Sequence, residues 1–168
     1  MAGCSIATET PYNQGVDAYQ TEKYEDAVTY WSKSAASGDI DAMNNLAYLH
    51  FNGLGTVKDQ QKAIELWNSA AMQGQSEAQS HLAAAYSEGL GVPKSVVKAY
   101  AWYRCTIASA EGRASTEWSD LEEQIADAAR ESLVRLTDVM TMSELEDGRT
   151  LASDYIQKYS LRASEQRR

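Results

Sequence analysis

Two histidines, two cysteines and a scatter of carboxylates are the side chains of this 168-residue sequence equipped for proton transfer, nucleophilic attack or metal binding. His50 and His81 stand 31 residues apart, so they form no His-Glu-x-x-His set on one helix face. Cys4 and Cys105 give neither a disulfide framework nor metal-ligand spacing. Cys105 lies in a helical stretch beside Tyr103 and Ile107 and reads as a packed, inert thiol. The adjacent carboxylates Glu122-Glu123 and the pair Glu144 and Glu146 lie on amphipathic stretches and read as solvated faces. There is no Gly-x-Ser-x-Gly elbow and no phosphate loop, since the Gly-Leu-Gly sequences lack both a lysine and a preceding strand. Neither catalysis nor a cofactor or metal is expected.

The elements that would position these groups are helices. Hydrophobic residues make up 43% of the chain, and only two prolines and ten glycines interrupt it. A formal net charge of −9 repels a phosphate backbone, so nucleic acid is not an expected partner. Arg162, Arg167 and Arg168 form the one basic cluster and read as a solvated tail. No apolar run approaches the roughly 20 residues that span a bilayer.

A 36-residue period organises most of the chain. Ala27, Ala63 and Ala99 share it, as do Trp31, Trp67 and Tyr103. Ala42, Leu46 and Ala47 recur as Ala78, Leu82 and Ala83, and Gly38 recurs as Gly74. Gly53-Leu54-Gly55 recurs as Gly89-Leu90-Gly91. The alanines fit where paired helices approach closely, and the aromatic residues four positions on fill the space between repeats. Gly38 and Gly74 are expected at left-handed helix ends. The Gly-Leu-Gly turns are expected to reverse the chain with leucine tucked inward, and Pro93 to stop the helix before it. These features predict an all-α fold with second helices near 24–37, 60–73 and 95–109.

These residues identify a resemblance. Leu46-Ala47, Gly53-Leu54-Gly55, Val57, Asp59, Lys62-Ala63, Trp67, Ala70-Ala71 and Gly74 look like one complete Sel1-like repeat. Ala78, Leu82-Ala83, Tyr86, Gly89-Leu90-Gly91-Val92, Lys98-Ala99 and Trp102-Tyr103 look like a second, which departs where Thr106-Ile107 replace the usual alanine pair. Gly15, Ala18, Tyr24, Ala27 and Trp31 resemble the related tetratricopeptide repeat. The resemblance implies a short right-handed α-solenoid of helical pairs over residues 8–112, with units near 8–38, 39–74 and 75–112. Residues 1–7 are expected to be a flexible N-terminus and 113–168 to be capping helices.

In the capping region Trp118, Leu121, Ile125, Ala128-Ala129, Leu133 and Leu136 follow helical spacing. Thr141-Met142-Ser143-Glu144 matches a capping box opening a final helix whose apolar side holds Leu145, Leu151, Ala152, Tyr155 and Ile156. Gly148 is expected to weaken that helix. His50 occupies the place of Tyr86 in the next unit and is expected to be a hydrogen-bonded core residue.

A solenoid of helical pairs offers a concave surface made by the first helix of each pair. Resemblance to tetratricopeptide arrays implies its lining: Glu9, Tyr12, Val16 and Tyr19, then Asp41, Asn44, Tyr48, Phe51 and Asn52, then Glu77, Ser80, Ala84, Ser87 and Glu88. Glu9, Asp41 and Glu77 would form a carboxylate ladder along one rim. Tyr12, Tyr19, Tyr48 and Phe51 are aromatic anchors of the kind enriched in binding hot spots; packing between repeats is the alternative for any one of them. The expected function is therefore to bind one protein partner with a basic surface. The bacterial Sel1-like family further implies an adaptor or inhibitor, including immunity proteins against secreted toxic enzymes. A structural envelope lipoprotein assisting assembly is the alternative. Ala2-Gly3-Cys4-Ser5 resembles the end of a lipobox, which implies lipidation at Cys4 as the only membrane attachment. A periplasmic location, anchored at the outer membrane, follows from that resemblance. A cytosolic chain that happens to carry a cysteine near its start is the other reading.

Overall fold

The computed structural model describes residues 10–113 and 119–160. Cys4, Glu9, Trp118 and the C-terminal arginines lie outside that range. Eight α-helices run through the described residues: α1 Pro11–Gln20, α2 Tyr24–Ala36, α3 Ile40–Asn52, α4 Gln60–Ala71, α5 Ser76–Glu88, α6 Val96–Arg113, α7 Ser119–Thr137 and α8 Met142–Tyr155. A single π-helical turn, Ile156–Ser160, ends the described chain. Each helix of α1–α6 packs against the next, giving three helical pairs in sequence, and α7 and α8 both close over α6.

The period seen in the sequence is repeated in the backbone. Gly53 and Gly89, at φ 75° and 77°, take the left-handed conformation that ends α3 and α5. Their N–H groups donate to the Leu49 and Ala85 carbonyls, both at 2.8 Å. After each turn one further bond recurs: the Asp59 N–H donates to the His50 carbonyl and the Ser95 N–H to the Tyr86 carbonyl, again both at 2.8 Å. Gly89, not Pro93, therefore stops α5. Leu54 packs against the core as expected, but Leu90 is 40% exposed. N-caps follow sequence too. The Asp39 carboxylate accepts from the Asp41 and Ala42 N–H groups, and Asp59 accepts from Lys62.

Ala27, Ala63 and Ala99 are fully buried, and Trp31, Trp67 and Tyr103 sit beside them in the interior. One cluster joins Ala18, Ala27, Trp31, Ala42, Leu46 and Leu49, while a larger one runs from Ala47 through α6 to Ala152. Thr106 is accommodated at full burial by donating its hydroxyl to the Trp102 carbonyl at 3.0 Å. Cys105 is buried, and desolvation pushes its thiol up to about 12, which leaves it a poor nucleophile.

The capping helices hold the main departures from the sequence pattern. Leu121 and Ala128 are exposed, whereas Glu122, read from sequence as solvated, is 6% exposed and accepts a hydrogen bond from the Ser76 hydroxyl at 2.6 Å. The carboxylate ties α7 to the start of α5. Gly148 is buried because α8 crosses Tyr100 so closely that a β-carbon would meet its ring at 2.9 Å.

Candidate functional site

The first helices of the three pairs come together around a cavity of about 430 Å³. Tyr12, Val16, Tyr19 and Gln20 line it from α1, Asn44, Asn45 and Tyr48 from α3, and Glu77 and His81 from α5. Trp31 reaches it from α2. Gly15 makes this approach possible, since a β-carbon there would fall onto the Trp31 indole. The indole nitrogen donates to the Tyr12 carbonyl at 3.2 Å, fixing α1 over the ring.

Aromatic rings form the walls. The Tyr19 ring lies 5.6 Å from Trp31 and meets Tyr48 edge-on at 6.4 Å. Tyr48 is 38% exposed and its ring stands 6.3 Å from the imidazole of His81, which stacks on Trp67 at 4.6 Å. Burial holds the Tyr19 phenol above its usual range, and burial with the Asp41 charge does the same for Tyr12.

The polar side of the cavity centres on Glu77. The Asn44 Nδ2 donates to Glu77 Oε2 at 2.9 Å, and His81 Nε2 lies 4.0 Å from Oε1. Burial raises the Glu77 carboxyl above its ordinary value; the Asn44 bond opposes this, and the charges of Asp41 and Glu122 add to it. Burial pushes His81 down to about 4, so it is uncharged near neutrality. Asn44 itself is 2% exposed, and its Oδ1 has no hydrogen-bond partner among the described residues. Asp41 lies at the rim, exposed, and accepts from Gln75 at 3.3 Å.

Of the lining expected from sequence, the structure gathers Tyr12, Val16, Tyr19, Asn44, Tyr48 and Glu77 around the cavity. Asp41 acts on it through charge. Phe51 does not line it: its ring packs 5.1 Å from Trp67, within the core between repeats. Asn52 is turned back, donating to the Tyr48 carbonyl at 2.9 Å, and Ser80, Ala84, Ser87 and Glu88 fall beyond the cavity on α5. His81, Asn45, Gln20 and Trp31 join the lining without having been expected there. His81 follows Glu77 by four residues, one helical turn on the same face, and that spacing was the available signal. His50 is buried, but its Nδ1 has no hydrogen-bond partner among the described residues.

Nothing in this arrangement sets a nucleophile against a base, and no group of His, Cys, Asp or Glu among the described residues has the geometry to hold a metal ion. No described helix is long and apolar enough to cross a membrane.

Stacked helical pairs presenting a concave face define an α-solenoid of the interaction-module class. The Sel1 repeat matches residues 12–39, 40–75 and 76–109, and the chain belongs to the Sel1 repeat family. The first unit, which resembles a tetratricopeptide repeat in sequence, is thus a Sel1 repeat as well. Two solved structures are similar. One is a protective antigen of uropathogenic Escherichia coli strains with an SLR fold, 27% identical over 91% of this chain with a TM-score of 0.71. The other is a Sel1 repeat protein from Oxalobacter formigenes, 32% identical over 62% of this chain with a TM-score of 0.57. The aligned regions span 30% and 42% of those longer chains. No curated protein sequence matches. Sel1 repeats generally mediate protein–protein interaction, and the family is generally non-catalytic.

Proposed function

We propose that this protein is an adaptor or inhibitor that holds one protein partner against the concave face formed by α1, α3 and α5, and that the partner presents a basic surface there. The observation carrying this reading is the convergence of aromatic residues and Glu77, drawn from three successive repeats, on one open cavity. The exposed Tyr48 ring and the half-buried Tyr12 and Tyr19 rings supply contact area, and the net charge of −9 favours encounter with a basic molecule. An inhibitor that covers the basic cleft of a secreted toxic enzyme, as an immunity protein does, is the specific form we favour, acting in the bacterial periplasm. The test is a photo-crosslinking residue at position 48 or 134, introduced in living cells, with the crosslinked pair recovered after periplasmic fractionation. A single basic protein captured from position 48 and not from position 134 is expected. Capture from position 134, on the exposed face of α7, with none from position 48 would overturn the reading.

A further inference from the structure

Resting on that reading, the cavity has a more particular chemistry than a general docking surface. Its polar side holds a carboxylate, and no lysine or arginine is among its described lining residues. Among the described residues no lysine or arginine pairs with Glu77, whose basic neighbour is His81 at 4.0 Å. Beside it Asn44 Oδ1 is buried without a donor. Asp41 adds a second negative charge close enough to act on both Tyr12 and Glu77. The rings of Tyr19, Tyr48 and Trp31 line the same cavity. Aromatic rings and a carboxylate around one cavity suit a cation, which gains from the ring faces and from the charge together. A planar guanidinium fits better than an ammonium. It is more weakly hydrated, stacks flat on rings, and carries a fork of N–H donors that matches a carboxylate.

We propose that the cavity is a side-chain pocket for one arginine of the protein partner, its guanidinium paired with Glu77 and stacked on the exposed Tyr48 ring, with Tyr19 standing edge-on beside it. The cavity, about 430 Å³, has ample room for a single long side chain. The other aromatic and polar groups around it orient that side chain and exclude competing water.

The probe is the capped peptide acetyl-Gly-Arg-Gly-amide, titrated into the labelled protein while the Trp31 indole N–H signal and the His81 ring signals are followed by NMR. Saturable shifts of both are expected. The citrulline peptide, which keeps the shape but carries no charge, should bind at least tenfold more weakly, and the lysine peptide severalfold more weakly. Glu77→Gln should weaken the arginine peptide at least tenfold and leave the citrulline peptide unchanged. Should that variant fail to fold, Asp41→Asn at the exposed rim provides the charge test, with a severalfold loss for arginine alone. Equal binding of arginine and citrulline, equal binding of arginine and lysine, or no saturable shift of Trp31 would each overturn the pocket. Crosslinking of a partner from position 48 alongside such a result would leave the concave-face function standing, whereas arginine-selective shifts with crosslinks only from position 134 would uphold the pocket and remove that function.

Discussion

At the scale of single residues, burial shifts His81 and Glu77 in opposite directions. They sit one helical turn apart on α5 in a partly dewatered groove, and desolvation favours the neutral form of each. The imidazole, held down to about 4 against an ordinary 6.5, stays neutral in the fold where the unfolded chain would take up a proton. Its contribution to stability is therefore full above pH 6.5 and is lost as pH falls toward about 4. The raised carboxyl of Glu77 works the other way: its contribution is full below its ordinary 4.5 and is lost as pH rises through the folded value. Thermal melts of His81→Gln should thus lose part of the acid-side decline shown by the wild type and retain the opposing slope. Indistinguishable profiles for the two proteins would mean that the groove leaves His81 hydrated enough to protonate normally.

At the scale of elements, α8 shows how far local sequence determines structure. The Thr141 hydroxyl accepts from the Glu144 N–H at 3.3 Å, and the Glu144 carboxylate accepts from the Thr141 N–H at 2.8 Å, the reciprocal pair expected from four residues of sequence. The Thr141 N–H and the Thr141 hydroxyl, each donating to Glu144 Oε2 at 2.8 Å, hold the Glu144 carboxyl below its ordinary value. Thr141→Ala should cost about 1 kcal/mol in urea denaturation, the usual loss when a capping hydroxyl is removed. A loss near zero would mean that α8 is held by its packing on α6 alone. Helix positions, caps and the buried alanines were legible because each depends on neighbours within a few residues or on the repeat period. Glu122 was not, since its burial depends on α7 crossing the start of α5, a distance of 46 residues in sequence to Ser76. Phe51 lies off the cavity for a related reason. Its register placed it on the concave side, but its ring lies against Trp67 of α4, a contact across the helical pair. Resemblance located the face of each helix, and tertiary crossing decided which residues at its edges were exposed.

At the scale of the whole molecule, charge and aromatic contact should govern different stages of binding. Asp41 lies at the rim and Tyr48 in the wall, so their substitutions separate the two. A rim carboxylate attracts a basic partner before contact, and salt screens that attraction. Asp41→Lys should therefore slow association, flatten its dependence on salt and leave dissociation nearly unchanged. Its effect on stability should stay within ~0.5 kcal/mol, because the residue is exposed and its side-chain bond from Gln75 is long at 3.3 Å. Tyr48 instead contributes contact area, with its ring set edge-on to Tyr19 and near His81. Tyr48→Ala should leave association almost intact and speed dissociation by an amount equivalent to about 2 kcal/mol, the threshold of a hot spot. Surface plasmon resonance on the crosslinked partner, at low and physiological salt, reads both rates. Should both variants bind with wild-type kinetics, the partner must sit on another face, and the concave groove would lose its role. Should Asp41→Lys change dissociation instead, the rim carboxylate must be buried in the complex, and the partner would reach further over α3 than the cavity alone implies.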